Sequence, residues 1–492
     1  MTLRRLRAFK RWMRSHCIAS SDALNLVEIP SNGIAIKALC ELREGDVVAT
    51  IPKAACLTIR TSAACVAIEE AGIDGVLGLA FALMYERSLG EASEWFGYLQ
   101  VLPEREDVPL VWSLEEVDRL LAGTELHKAV KEDQAALFDD WKEFIEPLIH
   151  SGSLKLDPKF FGVEQYFSAK TLVASRSFQI DDYHGFGMVP LADLFNHKTG
   201  AENVHFTSVS SPDSDEEDGV ITDASGNDQS SDGSTGDSPA AQQDSGHDPA
   251  SLEHPDGDPE TLEMIIVRGV EAEAEVFNTY GLMGNAALLH RYGFTELDNP
   301  FDIVNIDLNM VLAWSSATFT SRHSRARLSL WRKLEFSPCS SQNSEYFEIS
   351  HDGEPQVELL ILLYIILLPV DTYEKLSYSI DSFNDGDEIS KIIKLTQITN
   401  NKCDKKPEDV KELLLTRNVC RALHLLADTR ESLYGSNTVR EDTNKLKRCC
   451  PLKERKLYHS LVLCISERTI LANLRAYASR WSKTKKRKRR GC

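Results

Sequence analysis

The pattern of apolar and polar positions predicts strands in the first part of the chain. Ile34, Ile36 and Ala38 alternate with other residues, and a turn at 45–46 leads to a second apolar run at 47–51. Alternation over a few residues is typical of a strand with one buried face. Two such runs joined by a Gly-containing turn predict a β-hairpin.

Helical spacing of apolar residues dominates the remaining ordered stretches. Helices are predicted at 76–87, 125–149, 157–175, 285–292, 324–334, 357–368, 409–429 and 451–474. Ser113 with Glu116 has the pattern of a capping box, and Asp157 followed by Pro158 is a typical helix start. Gly293 is expected to end the helix at 285–292 in the left-handed conformation.

The net charge of −20 arises mainly from one segment. No Lys or Arg lies between Lys198 and Arg268, and residues 213–260 contain fifteen carboxylates. Of the 75 acidic residues, 60 therefore remain elsewhere, against 55 basic ones. The low-complexity stretch at about 208–261 lacks apolar periodicity, so we expect a disordered insert there. It interrupts a hairpin predicted between 203–208 and 262–267.

Length and composition exclude several classes of protein. A chain of 492 residues with 42% hydrophobic and 26% charged residues can form two or three globular domains. Its eleven cysteines form no Cys-x-x-Cys pair, which favours free thiols in a reducing compartment and no metal site. The most apolar run, 359–368, is too short to cross a membrane, so we expect a buried helix and no membrane association.

Both ends of the chain are basic. Residues 1–20 contain no acidic residue, and Leu6, Phe9 and Met13 fall on one face of a predicted amphipathic helix. A docked helix and an organelle transit peptide both fit this composition. Residues 476–492 form a basic tail, with seven basic residues in 483–490. The tail predicts nuclear entry or nucleic-acid contact, with a solvated end as the alternative, and we expect the protein in the nucleus, the cytoplasm or both.

Candidate chemistry is concentrated at the ends of apolar segments. Asp193, Asn196 and His197 follow one such segment and combine donors and acceptors of different geometry. Tyr280 directly precedes a Gly-rich bend, where its side chain can point into a cleft. Taken singly, each has a structural explanation: a buried Asn-His pair that satisfies nearby backbone groups, and a tyrosine in a turn.

Taken together, five motifs in a fixed order suggest a family. They are Asn32 to Ile36, Ser175 to Phe178, Val189 to Asp193 with Asn196 and His197, Asn278 to Gly281, and Asn285-Ala286 with Tyr292 to Phe294. This pattern resembles the SET-domain protein methyltransferases of the Rubisco large-subunit methyltransferase-like branch, which also contains ribosomal-protein lysine methyltransferases. The resemblance covers roughly residues 20–475 without the acidic insert.

The resemblance implies an α+β fold in two main domains. A β-rich SET domain would occupy 21–300, with a helical insertion at about 55–170. An all-α substrate-binding domain would follow at 301–475. The methyl donor would be S-adenosylmethionine, and the absence of a Gly-x-Gly-x-x-Gly motif after a strand fits a donor site outside the Rossmann fold.

The resemblance also implies roles for individual residues. Tyr280 corresponds to the catalytic tyrosine that faces the transferred methyl group. Arg176 would bind the carboxylate of the donor, to which a guanidinium is geometrically matched. The other implied donor-site residues are Asn32, Gly33 and Ile34 through their backbone at the methionine end, Asn196 and His197 at the adenosine, Tyr292 and Phe294 near the adenine, and Asp193 and Asn285.

The implied activity is methylation of lysine side chains on a non-histone protein, most simply a ribosomal protein. We expect a monomer that binds a protein substrate, with no nucleic-acid contact beyond the basic tail. Two alternatives stay open: a catalytically silent SET-fold binding module, and a protein-histidine methyltransferase. The chain departs from the family at Ala35, where many relatives have glycine, and at 271–275, which replaces a Gly-containing turn. Neither departure is expected to touch the chemistry, and both are expected to bear on donor affinity more than on activity.

Overall fold

The computed structural model of the protein describes residues 3–29, 33–151, 156–208, 260–334, 346–379, 388–400 and 411–490. Asn32 and nearly all of the acidic insert lie outside the described residues, so the expectation of disorder in the insert stays a prediction. The chain divides into two compact units, which are described separately. Unit 1 comprises Met1–Leu102 and Arg176–Leu282, and unit 2 comprises Pro103–Ser175 and Met283–Cys492. The domain limits expected from the sequence also remain predictions.

Unit 1 contains short strands and a few helices. Its helices are α1 (Leu3–Ser15), α2 (Cys65–Glu70), α3 (Gly75–Leu89) and α4 (Phe96–Leu99). Its strands are β1 (Ala19–Ser20), β2 (Leu24–Ile29), β3 (Gly33–Ala38), β4 (Val47–Pro52), β5 (Leu57–Thr58), β6 (Ser177–Asp181), β7 (Gly185–Met188), β8 (Val204–Ser208) and β9 (Thr261–Ile266).

Small antiparallel sheets build unit 1. One has the order β1-β4-β9-β8, a second has the order β5-β7-β6, and β2 pairs with β3. Buried apolar side chains alternate along β9, where Leu262, Met264 and Ile266 point inward. Helix α3 contributes a central apolar segment, Leu79 to Met84, that is buried on all sides. The sheets and α3 thus share a core made from residues far apart in sequence.

The predicted hairpin of β3 with β4 is wrong, although both strands exist. β3 pairs with β2 along its whole length, from Gly33 opposite Ile29 to Ala38 opposite Leu24. Its other edge is also occupied, because the amide of Val276 donates to the carbonyl of Ile36. With both edges of β3 used, β4 pairs with β1 and β9 in a different sheet. Alternation identified the strands but not their partners.

The second predicted hairpin is confirmed. β8 and β9 are antiparallel neighbours, with Val204 opposite Ile266 and Ser208 opposite Leu262. The segment around 276–277 pairs only through isolated bridges at Glu275 and Asn278. The buried Val276 nevertheless holds that segment in the core.

Unit 2 is mainly helical. Its first helices are α5 (Leu114–Leu120), α6 (Leu126–Asp140), α7 (Glu146–Ser151), α8 (Pro158–Phe161), α9 (Val163–Arg176, whose last residue belongs to unit 1) and α10 (Asn285–Tyr292). Two strands, β10 (Val304–Asp307) and β11 (Tyr346–Ile349), form an antiparallel pair. The later helices are α11 (Leu308–Thr318), α12 (Ser321–Lys333), α13 (Val357–Ile366), α14 (Val370–Tyr378), α15 (Glu388–Asn400), α16 (Lys411–Leu414), α17 (Arg417–Glu431), α18 (Val439–Leu446) and α19 (Arg455–Arg490).

Helix signals in the sequence were accurate at most ends and less so in helix interiors. The capping box of Ser113 and Glu116 is present, and Asp157 caps α8 through the amide of Lys159. α10 ends at Gly293 with a left-handed φ of 76°, as expected. The helix predicted across 157–175 is interrupted at Gly162. The one predicted at 125–149 contains a wider π-helical turn, Trp141–Ile145. These interruptions do not change the predicted α+β class, which is confirmed.

The main core of unit 2 surrounds α13. Every residue from Leu359 to Ile366 in this helix is buried, which confirms the buried helix predicted there. Trp331 of α12 and Phe347 of β11 belong to the same core, with ring centroids 5.9 Å apart. In the part of the chain that the structure describes, no helix is both long and apolar enough to span a membrane.

Unit 2 also buries a charged cluster. The carboxylate of Glu467 accepts hydrogen bonds from the Tyr434 hydroxyl (2.6 Å) and the Glu125 amide (3.1 Å). Arg430 donates to Glu125 at 2.8 Å and lies 4.0 Å from Glu467. Burial, followed by the nearby negative charge of Glu125, raises the pKa of Glu467 to about 8, because both disfavour the ionised form of this carboxyl group.

Candidate functional site

Arg176, one of the predicted site residues, lies where a helix passes directly into a strand. Arg176 is the last residue of α9, and Ser177 begins β6. Its Nη1 lies 3.1 Å from the backbone oxygen of Asp193 and 3.5 Å from the Oδ2 atom of the same residue. These contacts fix the guanidinium while its side chain keeps 22% of its exposure. Arg176 and Asp193, predicted from separate motifs, are therefore direct neighbours.

Asp193 has a positioning role. Its side chain is fully buried, and the hydroxyl of Tyr98 donates to Oδ2 at 2.9 Å. Burial, and then the charge of Asp193, raises the pKa of Tyr98 well above its usual value, so the hydroxyl stays protonated. Tyr98 thus positions the Asp193 carboxylate, and this buried carboxylate in turn holds the guanidinium of Arg176 in place. No local sequence signal marks Tyr98, which is 95 residues from Asp193.

A strained turn presents Asp193. Leu191 is fully buried and has a φ of 79°, in the left-handed region that side chains other than glycine rarely adopt. The following 3-10 turn, Ala192–Leu194, places Asp193 inward. Backbone strain of this kind persists only where the surrounding packing enforces it. The buried neighbours of Leu191 supply that constraint.

Asn196 is oriented by a carboxylate. Its Nδ2 donates to Oε1 of Glu275 at 2.8 Å, and its backbone oxygen accepts from the amide of Asn278 at 2.9 Å. Residues 271–275, which depart from the family pattern, therefore contact a predicted donor-site residue through Glu275, and an effect on donor affinity more than on the chemistry stays a prediction. Glu275 thus brings a carboxylate onto a predicted site residue.

His197 and Tyr280 form the centre of the candidate site. The backbone amide of Tyr280 donates to Nδ1 of His197 at 3.0 Å, and the two rings stack with centroids 5.0 Å apart. Because Nδ1 accepts, the proton of the neutral imidazole lies on Nε2, which is 3.2 Å from Oγ1 of Thr199. The contact fixes both the tautomer of His197 and the backbone that carries Tyr280.

The hydroxyl of Tyr280 has a defined direction. It donates to the backbone oxygen of Phe195 at 3.1 Å. Its proton is therefore directed at Phe195, and toward an amine the phenol oxygen acts as an acceptor. This is the arrangement needed to orient a neutral amine without ionising the tyrosine.

Two asparagines hold the segment that carries Tyr280, and neither was assigned a role from the sequence. Asn203 accepts from the amide of Phe277 through Oδ1 at 3.1 Å. Asn278 is 5% exposed and accepts from the amide of Thr279. Asn278 lies inside a motif that the sequence analysis singled out. Asn203 was visible only as the start of a hairpin.

The first predicted motif is partly described. Asn32 lies outside the described residues. Gly33 has a φ of 76° and open space around it, so glycine is required there by backbone conformation and not by crowding. Ile34 is buried on β3, and so is Ala35, which departs from the family pattern. A donor contact through this backbone stays a prediction.

The remaining predicted residues belong to unit 2. Asn285 is fully buried and joins the start of α10 to the following loop. Its Nδ2 donates to the oxygen of Glu296 (2.9 Å) and to Oδ2 of Asp302 (2.8 Å), while its Oδ1 accepts from the Glu296 amide (2.7 Å). These bonds give Asn285 a structural role in unit 2, and a direct donor contact stays a prediction.

Tyr292 and Phe294 form an aromatic pair. Their ring centroids are 6.3 Å apart, and the Arg291 guanidinium lies 5.5 Å from the centre of the Tyr292 ring. Burial raises the pKa of Tyr292. The contact with adenine that the resemblance implies for this pair stays a prediction. Within the described residues there is no group of three or more metal-ligating side chains close enough to hold an ion.

Comparison with known proteins gives several relatives. The chain is 30% identical over 343 residues to the N-lysine methyltransferase setd6 of Danio rerio, a match covering 64% of this chain and 62% of that protein. It is 25% identical over 338 residues to ribosomal lysine N-methyltransferase 3 of Saccharomyces cerevisiae, covering 57% of this chain and 60% of that protein. The matched part is thus less than two thirds of the length of either relative. No protein-family model matches the chain.

Solved structures match over nearly the whole chain. The SET domain of LSMT bound to lysine and AdoHcy superposes with a TM-score of 0.65 and 18% identity, covering 98% of this chain and 92% of that one. Rubisco LSMT bound to AdoMet gives a TM-score of 0.61 and 17% identity, with 97% and 92% covered. At such identities the likeness concerns the fold, and the SET fold expected from the motifs is confirmed.

Proposed function

We propose that the chain belongs to the SET-domain branch that contains these lysine methyltransferases, and that it methylates lysine side chains of a non-histone protein. S-adenosylmethionine is the proposed donor. The observation that carries the proposal is the fixed pair of His197 and Tyr280, whose phenol oxygen acts as an acceptor toward an amine. Two of the relatives carry this activity in their names.

The donor set of unit 1 fits S-adenosylmethionine. Arg176 supplies a guanidinium, which matches the donor's carboxylate with two parallel hydrogen bonds. Asn196 supplies an amide for hydrogen bonds to a purine or a ribose. When bound, the donor offers a sulfonium methyl group, whose S–C bond breaks as the amine nitrogen forms the new N–C bond.

The residues of this chain would act by alignment and by controlling protonation. An in-line displacement depends strongly on geometry, so fixing the amine on the Tyr280 oxygen contributes much of the rate. The lysine must be neutral to attack, although its usual pKa is about 10.4. A partly buried site disfavours the ammonium form and helps it lose its proton to solvent. Tyr280 then holds the neutral amine without itself exchanging a proton.

A ribosomal protein is the proposed target class. The support is the relative from Saccharomyces cerevisiae, whose name specifies a ribosomal lysine methyltransferase. Transfer of labelled methyl groups to fractionated ribosomal proteins tests this, with mass spectrometry of the labelled residue. We expect label on lysine with the natural chain and at least a hundredfold less with Tyr280→Phe.

Other outcomes of that screen would overturn parts of the proposal. Label on histidine would replace lysine as the acceptor. Label on proteins outside the ribosome would replace the target class. Donor binding by calorimetry separates a silent module from an enzyme lacking its substrate. A chain that binds no S-adenosylmethionine would end the proposal of methyl transfer.

We further propose that the protein acts as a monomer in the nucleus and the cytoplasm. The support for nuclear entry is the basic run 483–490. Replacing its four lysines by glutamine should lower the nuclear signal of a tagged chain and leave methyl transfer intact. Light scattering during gel filtration checks the monomer, for which the expected mass is 55.1 kDa.

A further inference from the structure

Helix α1 presents a basic surface that neither the fold nor the proposed function explains. Arg4, Arg7, Arg11 and Arg14 follow one another at spacings of three and four residues and are all exposed. At 100° per residue they form a single stripe along one side of the helix, about 15 Å long. We call these four residues the arginine stripe.

The opposite side of α1 is fixed to unit 1, so the stripe must face outward. Leu6, Phe9, Trp12 and Met13 are buried. The indole nitrogen of Trp12 donates to the backbone oxygen of Glu94 at 2.7 Å. Packing is close enough that a Cβ atom at Gly97 would overlap the Trp12 side chain.

The stripe lacks compensating charge. α1 contains no acidic residue, and its first turn places Arg4 at the end of the helix where the dipole is positive. Like charges at these spacings repel one another. In the part of the chain that the structure describes, none of the four arginines has an ion-pair partner. An anion on this side would relieve both effects.

The strands that flank the chain's acidic segment belong to the same sheet as β1, which follows this helix. Four residues after α1 ends, Ala19 begins β1 opposite Thr50 of β4, and Thr50 lies opposite Glu263 of β9. Two strand spacings of about 4.8 Å therefore separate Ala19 from the strand into which the acidic segment leads. The segment, defined as residues 213–260, contains fifteen carboxylates.

We propose that the arginine stripe binds the chain's own acidic segment. Charge complementarity and proximity both favour this occupant. About eight residues of extended chain cover 25 Å, and the first carboxylate, Asp213, comes five residues after Ser208. A tethered partner acts at an effective concentration in the millimolar range, so several weak surface ion pairs suffice. Free nucleic acid, the competing occupant, would have to displace it.

Zero-length carbodiimide coupling of the full chain tests the contact. Lys10 is the single lysine of α1 and lies beside the stripe. At about 50 mM salt we expect mass spectrometry to find amide links between Lys10 and residues 213–260. About 0.5 M salt should reduce them at least tenfold, because screening weakens surface ion pairs. The quadruple Arg4→Gln, Arg7→Gln, Arg11→Gln, Arg14→Gln variant should reduce them equally and keep the fold, since these side chains are exposed.

The basic tail provides the matched control. Glutamine at Lys483, Lys485, Lys486 and Lys488 removes the same number of charges and should leave the Lys10 links unchanged. If the carboxylates of residues 213–260 were linked only to the tail lysines, or to no lysine at all, the proposal would be overturned. Tight binding of a labelled 20-nucleotide oligo(dT) by the natural chain that depends on the stripe would also overturn it, because the occupant would then be nucleic acid.

Discussion

The backbone amide of Tyr280 donates to Nδ1 of His197, and the two rings lie stacked 5.0 Å apart. The histidine therefore positions the residue that faces the proposed amine and need not itself react. Its neutral form is the one that can accept this bond. The position of Tyr280 thus depends on a hydrogen bond between its main chain and a side chain 83 residues away in sequence.

His197→Phe should lower the rate of methyl transfer about tenfold. The aromatic ring keeps the stacking contact, but the acceptor is lost, and a net hydrogen bond contributes about 1 kcal/mol. Initial rates with labelled donor measure the effect. His197→Asn, whose side-chain oxygen can accept, should retain more activity than His197→Phe. Equal losses in both variants would argue against the hydrogen bond.

Tyr98→Phe should weaken donor binding without touching the donor. The buried carboxylate of Asp193 would lose its 2.9 Å hydrogen bond, and Arg176 would lose its support. We expect unit 1 to be destabilised by about 1–3 kcal/mol and the donor Kd to rise severalfold. Urea denaturation and calorimetry measure the two effects. Tyr183→Phe, at a tyrosine 45% exposed, is the control and should change neither.

Glu273→Gly should stabilise the protein. Glu273 is exposed and has a φ of 66°, a conformation that glycine adopts without steric cost. We expect a gain of about 1 kcal/mol in the free energy of unfolding, seen as a higher urea midpoint. Glu271→Gly, two residues earlier and without a positive φ, should be neutral or destabilising. A destabilised Glu273→Gly variant would show that the carboxylate matters more than the backbone.

Stability should fall as the pH rises from about 5 to 8, through Glu467. In the folded chain its pKa is raised to about 8, whereas its ordinary value is 4.5. Over this window the folded state holds a proton that the unfolded state has lost, so raising the pH favours unfolding. The slope reaches at most about 1.4 kcal/mol per pH unit. Urea midpoints at four pH values should show a smaller slope for Glu467→Gln than for the natural chain.

Much of the fold could be predicted because its signals are local. The capping box at Ser113 and the stop at Gly293 depend on neighbouring residues, and both are present. The pairing of β3 could not be predicted, because alternation specifies which face is buried and not which strand lies alongside. The buried contact of Glu125, Arg430 and Glu467 joins residues more than 300 positions apart and leaves no periodic trace.

The site shows the same division. Arg176, Asp193, His197 and Tyr280 were found through motifs, and the structure brings Arg176 beside Asp193 and His197 beside Tyr280. Their supports were missed. Tyr98 contacts Asp193 only through its hydroxyl group and is 95 residues away in sequence, so no motif or periodic pattern connects the two residues. Glu275 lies in a stretch that departs from the family pattern, and the sequence could not show that its carboxylate accepts a hydrogen bond from Asn196.

The hairpin of β8 and β9 makes the protein suited to labelling. Its register is closed by the pairing of Ser208 with Leu262 before the chain leaves the sheet. Because a long connection adds only a slowly growing closure entropy, a peptide tag or a small fluorescent domain grafted between these strands should leave the sheet intact. Such a graft would report the abundance of the protein from an internal position and leave both basic ends of the chain unmodified.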